Sequence, residues 1–504
     1  MSLVLACDLG STSMRAGLID AAGEIRYRAA VDGPSIRRTG DGMETGVDAW
    51  WAQFCSVIDT LAEVSGEDFD AVKAVAITGV TRTLILLDRR LRPVRPAILW
   101  GDGRAKDVAA AFRPTVPQGH PELPQFNAFH PVARLCWLRC EEPDSFAAVS
   151  VVLEPKDYFN FRLTGEPATD CVSSARLIAA AEAHDGHASL IELAGIDPAI
   201  VPRALDPSDV VGQVIAGLPG ALARLRGRPV VCMAHDTWAS VLGLGALRPG
   251  FGYNLSGTTE VLGVISETQA WADGLLSVKW GQSLYQLGGP SQNGADTVVW
   301  ALDVLAGGSG GAGDVGNALD RLLAERQDGQ PLLFLPYLQG ERTPYWNPAL
   351  RGAFVGLHRD HRTGDCAFAV LEGVAFLNRI ILERAESAVG RAVREIRFGG
   401  GGSASPVWAQ IKADICERTI AVTDCREPGL LGGAIVAWQA VGEVASLEDG
   451  QARLVSVARH HEPNAPRRSR CRRLYDLFRR TEAALAPISE ELARLDGNSS
   501  VAES

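Results

Sequence analysis

Two short turns carry the residue types best suited to holding phosphate. Cys7-Asp8-Leu9-Gly10-Ser11-Thr12-Ser13 and Leu255-Ser256-Gly257-Thr258-Thr259 are each flanked by apolar runs that read as a strand before the turn and a strand after it. Facing each other, two such turns would offer backbone N–H groups and hydroxyls to a polyphosphate. Singly, each is more often only a turn, because Gly, Ser and Thr are ordinary turn residues. Asp8 stands at the end of its predicted strand, so the glycine turn would project its carboxylate, although an Asp there can simply cap the turn. Asp236, in His235-Asp236-Thr237, follows the apolar run 230–233 and emerges at another strand end. It is equally suited to cap a helix starting near Thr237. His235, an isolated histidine in the sequence, reads as structural.

A third stretch, Gly400-Gly401-Gly402-Ser403-Ala404-Ser405, separates strand-like residues 396–398 from an amphipathic helix over 407–417. Its backbone could pass close under a flat purine, or it could be a flexible connection; the strand just before it favours a tight strand-to-helix turn. The chain has no Gly-x-x-x-x-Gly-Lys-Ser/Thr loop to hold phosphate by that route.

These residues need elements to position them. Residues 3–7 and 14–19 read as a β-hairpin, 48–61 as a helix, and 72–77 and 84–87 as strands, an alternation that favours an α/β fold. At 504 residues the chain exceeds what one core usually serves, which argues for two large domains. A Pro/Gly break over 247–252 places the boundary between a first domain, 1–245, and a second, 246–490. Residues 307–313 read as a flexible loop and 491–504 as a frayed tail. The apolar helical face over 371–389 reads as core or interdomain packing, since it lacks the basic flank of a membrane-binding helix.

A net charge of -11 without a basic stripe disfavours a nucleic-acid partner. The arginines over 467–473 read as a solvated segment beside the last helix. Ten scattered cysteines, without CxxC pairs, indicate neither a zinc site nor a disulfide framework, and no apolar run reaches membrane-spanning length. With no signal-like N-terminus, a cytoplasmic location is expected.

Several motifs, in order over nearly the full length, resemble the FGGY family of carbohydrate kinases. Asp8-Leu9-Gly10-Ser11-Thr12-Ser13-Met14-Arg15 and Leu255-Ser256-Gly257-Thr258-Thr259 look like that family's two phosphate hairpins. Trp100-Gly101-Asp102-Gly103-Arg104, Lys156-Asp157-Tyr158 and Thr169-Asp170 are similar to segments flanking its sugar pocket. Leu335-Pro336-Tyr337 through Thr343-Pro344, Leu371-Glu372-Gly373, residues 398–405 and Glu427-Pro428-Gly429 follow.

The resemblance implies two ribonuclease H-like, actin-like domains around a central cleft, with ATP and Mg²⁺ as cofactors. It implies that Asp8 holds Mg²⁺ together with Asp236, and that Asp236 accepts the proton of the attacked hydroxyl. Gly10, Ser11, Thr12, Ser13 and Arg15, and Gly257, Thr258 and Thr259, would hold phosphates; Gly401, Gly402 and Ser405 would take the adenosine. On the sugar side stand Thr81, Arg82, Trp100, Asp102, Asp236 and Thr237.

Here the chain departs from the family's patterns. Ketopentose relatives show Gln-Met-His-Gly and glycerol kinases Gln-Arg-Glu where this chain has Val80-Thr81-Arg82-Thr83. Arg82 could donate to vicinal hydroxyls or pair with a carboxylate, which keeps sugar acids open. Trp100 would be an apolar wall and Asp102 a hydroxyl acceptor. Glu44 reads equally as a family segment or a surface carboxylate. The expected activity is phosphorylation of a small open-chain sugar or polyol, a xylulose-like ketopentose first, with tetritols, pentitols and sugar acids behind it. The alternative is a catalytically silent sugar- or nucleotide-binding regulator on the same scaffold. Expected partners are the sugar and ATP, with a homodimer as a further candidate and neither nucleic acid nor membrane.

Overall fold

The computed structural model describes residues 2–183, 186–257, 259–281, 283–305, 315–324, 326 and 330–499. The chain forms two compact units, 1–243 with 427–455, and 244–426 with 456–504.

In the first unit a six-stranded sheet is built around strand Leu3–Leu9. Its continuous apolar run is buried on both faces because helices cover them, Val47–Ser65 packing with Leu3, Leu5, Cys7 and Leu9, and Pro428–Ala440 lying against Ala6 on the other face. On one side it pairs antiparallel with Ser13–Asp20, which pairs with Ile25–Asp32. On the other it runs parallel to Val72–Gly79, and that strand parallel to Pro229–Val231. Asp8 lies opposite Thr78 and Leu9 opposite Gly79, so the three parallel strands end at one edge. Helix Val47–Ser65 buries Trp50, Phe54, Val57 and Leu61 against the sheet, the spacing of one helical face. A second core within this unit gathers Leu84, Leu86, Ile98, Leu135 and Leu190 under the segment that carries Trp100.

The second unit repeats the plan. Gly252–Ser256 pairs antiparallel with Glu260–Ser266, which pairs with Tyr285–Ser291, and runs parallel to Glu395–Gly399 and, beyond it, Thr419–Thr423. Helix Thr363–Val389 buries Val374, Leu377, Ile381 and Ala385, so the apolar face read from sequence is core of this unit.

Three sequence expectations change. Residues 427–455, which the cut at 245/246 puts in the second domain, pack with the first unit. The cause is helix Pro428–Ala440, whose glycines allow it to lie directly on helix Asp236–Gly243: a Cβ on Gly243 would fall 1.9 Å from the Pro428 carbonyl oxygen, and one on Gly432 1.9 Å from that of Ala239. The expected frayed tail is helical as far as Ser499. The arginines over 467–473 lie within helix Ala465–Ser499, where Arg467 pairs with Asp414 and Arg472 with Glu417. Residues 307–313 and Thr258 fall outside the described residues.

Candidate active site

At the shared edge of the first sheet, the ends of three adjacent parallel strands lead to Asp8, to Thr81 and Arg82, and to Asp236. In parallel sheets this is the edge where ligands bind, because the chain leaves it in loops and helix N-termini. Asp8 Oδ1 is buried and has no hydrogen-bond partner among the described residues. Burial, then the charge of Asp236, lifts its pKa to about 7, against the lowering effect of Arg15. A buried carboxylate with an orphaned oxygen beside a second carboxylate suits a hard, oxygen-seeking cation. Mg²⁺ shared with nucleotide phosphates needs one or two protein carboxylates rather than a full cage. No group of three or more His, Cys, Asp or Glu side chains able to hold a metal occurs among the described residues, so a cage of protein ligands is not what this site offers.

Asp236 heads helix Asp236–Gly243. Its Oδ1 accepts from the Thr237 amide at 2.6 Å and from Thr237 Oγ1 at 3.2 Å, so Thr237 orients the carboxylate. The capping read for Asp236 falls partly to His235, whose Nδ1 accepts from the Trp238 amide at 3.3 Å. Met233, three residues before Asp236, has φ +61°, a strained conformation for a side chain of its size. Three buried donors hold that turn. Thr78 Oγ1 donates to the Ala234 carbonyl at 2.7 Å, Asn160 Nδ2 to those of Val231 and Cys232 at 3.3 and 3.1 Å, and Lys156 Nζ to that of Cys232 at 3.4 Å. Burial pulls the Lys156 ammonium pKa down, but Asp157 at 2.5 Å and Asp170 at 2.7 Å outweigh it and keep the cation charged. Lys156 and Asp157 stood in the sequence as a family-like segment; their task, bracing the approach to Asp236, depends on contacts 76 positions away.

The first hairpin turn is closely fitted, since a Cβ on Gly10 would meet the Ser13 carbonyl oxygen at 2.5 Å, and Gly33 N donates to the Thr12 carbonyl at 2.9 Å. Thr12 is exposed and Ser11 and Ser13 half-buried, so the turn's hydroxyls remain accessible. Arg15 is not an unpaired cation: its Nη1 lies 3.1 Å from Glu427 Oε2, and Arg28 holds the other oxygen of Glu427 at 2.6 Å. In the second unit, Gly257 N donates to the Thr259 carbonyl at 3.0 Å, and a Cβ on Gly257 would meet nothing closer than 3.8 Å, which leaves room beside that backbone. Gly400, at φ +82°, presses on the Ser256 carbonyl, and Gly402 is backed by Ser256 and Trp408, while Gly401 faces open space. Ser405 has a structural duty, its Oγ accepting from the Trp408 amide at the start of helix Pro406–Cys416.

Two sugar-side expectations are corrected. Asp102 is 1% exposed; its Oδ2 accepts from Arg104 Nη2 at 2.6 Å and the Met43 amide at 2.9 Å, and its Oδ1 from Arg104 Nε at 3.1 Å, so both oxygens are committed within the protein. Glu44 is no surface carboxylate: it is buried among Arg37, Arg95 and Arg104. Burial raises its pKa, yet the three guanidiniums more than offset this and hold it below the usual carboxylate range. Thr81 Oγ1 donates to Glu154 Oε1 at 3.2 Å. Arg82 and Trp100 remain exposed, and Arg134 ties them together, donating to the carbonyls of Arg82 at 2.5 Å and Trp100 at 2.9 Å. Nothing in the sequence marked Arg134, because its partners are backbone carbonyls of loops distant along the chain.

Duplicated ribonuclease H-like domains with glycine-bounded hairpins define the class, an actin-like, ATP-dependent phosphotransferase. The chain belongs to the FGGY family of carbohydrate kinases: the profile of that family's N-terminal domain matches residues 3–243 and that of its C-terminal domain residues 252–441. It is 27% identical to the xylulose kinase of Escherichia coli (strain K12), over 96% of this chain and 100% of that protein. It is 25% identical to the gluconokinase of Bacillus subtilis (strain 168), over 91% of each. Among solved structures, the xylulose kinase from Rhodospirillum rubrum superposes with a TM-score of 0.85 at 27% identity, covering 97% of this chain and 99% of that one. Among the described residues no helix is long and apolar enough to cross a membrane.

Proposed function

We propose that this carbohydrate kinase transfers the γ-phosphate of Mg-ATP to a hydroxyl of a small open-chain polyhydroxy compound, with Asp236 as the group that takes the hydroxyl proton. The observation that carries this reading is the pairing of Asp8 and Asp236 at the ends of two parallel strands that flank strand Val72–Gly79, one with a buried, orphaned oxygen and one at a helix start with Thr237 orienting it. Phosphoryl transfer asks little covalent chemistry of the protein. It needs the hydroxyl aligned, its proton accepted late, and the charge on the phosphate oxygens met by fixed donors. Asp8 and Asp236 would hold Mg²⁺, which when bound offsets phosphate charge. The hairpin backbones at Gly10–Ser13 and at Gly257 and Thr259 would donate to phosphate oxygens, and Gly401, open on one side, would lie under the adenosine. Thr258, outside the described residues, belongs to the same proposal. The printed names of the relatives, xylulose kinase and gluconokinase, support an open-chain acceptor.

The test is ADP release from Mg-ATP across ketoses, polyols and sugar acids, comparing the intact protein with Asp236→Asn. One acceptor should raise turnover strongly, and the substitution should remove at least ~10²-fold of it. If ATP binds but no acceptor stimulates ADP release, the chain is a silent regulator on this scaffold.

A further inference from the structure

Arg82 sits after strand Val72–Gly79, the middle one of the three parallel strands, between those that lead to Asp8 and to Asp236. A ligand group held there is beside the proposed reacting carboxylates. Its backbone is left-handed, φ +55°, an uncommon conformation for arginine. Two buried groups impose it: Glu154 Oε1 accepts from the Arg82 amide at 3.0 Å and Arg134 Nη1 donates to its carbonyl. Arg82 is exposed as a residue, yet burial of its charged end lowers its pKa against the raising effect of Glu154, and the side chain makes no hydrogen bond or ion pair with any described residue.

The surroundings do not neutralise it. Arg134 is buried, and its two terminal nitrogens donate to the carbonyls of Arg82, Trp100 and Asp102. Arg176 is near enough for the charge of Arg82 to add to burial in lowering its pKa to about 10. Glu122, shared between Arg176 at 3.8 Å and His130 at 3.1 Å, is a partial counter-charge. Glu154 commits one oxygen to Thr81 and the Arg82 amide, and its burial favours the uncharged acid. Three guanidiniums thus gather around one unpaired fork, and Arg134 holds the backbone of Trp100 beside it. A neutral polyol would satisfy hydrogen bonds there but leave the charge. A carboxylate would do both, since the planar guanidinium matches it through two parallel bonds.

We infer that Arg82 anchors a carboxylate and that the acceptor is an open-chain sugar acid, an aldonate, in place of the xylulose-like ketopentose expected from sequence. This rests on the kinase reading and names its substrate class. The phosphorylated group is a hydroxyl of that acid, whose proton passes to Asp236 as the bond to the γ-phosphorus forms and ADP leaves.

ADP release is measured on sets of equal chain length, such as gluconate with glucitol and fructose, and xylonate with xylitol and xylulose, for the intact protein, Arg82→Gln and Arg82→Asn. Asn tolerates the left-handed backbone, so that variant keeps the loop where Gln strains it. Expected is a kcat/KM preference for the acid over its neutral partners that falls roughly 10–100-fold in both variants, the range of a charge-assisted hydrogen bond, with KM for ATP unmoved. A neutral compound preferred by the intact protein, a sugar phosphate preferred over every aldonate, or a variant effect on ATP instead of the acceptor overturns the carboxylate anchor while leaving the kinase reading standing. If no compound raises ADP release, the kinase reading fails. Calorimetry then decides the anchor alone: gluconate binding that Arg82→Asn abolishes sustains it, and no binding ends it.

Discussion

Asp236 lies close enough to Asp8 that its negative charge adds to burial in lifting Asp8 to about pH 7. The shift makes Asp8 a liability to the fold without its metal. The folded state then binds the Asp8 proton more tightly than the unfolded chain does, so stability falls as pH rises from about 4 to about 7 and stays low above that. Asp8→Asn should therefore unfold later than the intact protein at pH 8, by ~1–4 kcal/mol, with the gap shrinking toward pH 5. Millimolar Mg²⁺ should narrow the gap by favouring the carboxylate, while activity is lost. Denaturant curves at the two pH values check this; a variant less stable at pH 8 would remove the metal argument.

Asn160 and Lys156 hold the carbonyls that precede Asp236 without touching any reacting group. Asn160→Ala should lose ~1–3 kcal/mol, the cost of stranding buried carbonyls, and should lower kcat while KM for ATP stays put. An unchanged kcat in a protein destabilised by that amount would reduce Asn160 to a structural residue.

Helices Asp236–Gly243 and Pro428–Ala440 touch backbone to backbone at Gly243 and Gly432. Gly432→Ala would gain helix propensity of ~1 kcal/mol, yet its methyl has no space against the Ala239 carbonyl. The net expectation is a loss of ~1–3 kcal/mol, as for overpacked cores, together with reduced kcat because the helix headed by Asp236 must shift. A stabilised Gly432→Ala protein would show that the contact is loose.

Ser405 was read as an adenosine contact, and its hydroxyl caps a helix. Ser405→Ala should cost ~1 kcal/mol of stability and leave ATP affinity unchanged by calorimetry. Weaker ATP binding at unchanged stability would return the hydroxyl to the nucleotide.

Local pattern made much of this protein legible. The buried strands 3–7 and 72–77, the turns at Gly10 and Gly257 and the strand-end positions of Asp8 and Asp236 follow from apolar runs interrupted by glycine, a signal written within a few residues. The family resemblance extended that reading to the second hairpin and the glycine-rich turn. What side chains do once long-range partners arrive was beyond such signals. Asp102 looks like a ligand acceptor until Arg104 and the Met43 amide take its oxygens, and Arg15 looks like a phosphate donor until Glu427, 412 positions later, pairs with it.

By itself the sequence determined two α/β domains, their paired hairpins and the carboxylates that end their strands, because each rests on the chemistry of neighbouring residues. Only the tertiary structure decided that residues 427–455 return to the first unit, that three buried donors brace the turn before Asp236, and that Arg82 alone of its cluster keeps its guanidinium without a hydrogen bond to a described residue. Those facts depend on which distant groups consume one another's charge and hydrogen bonds, and that competition is settled only when the chain has packed.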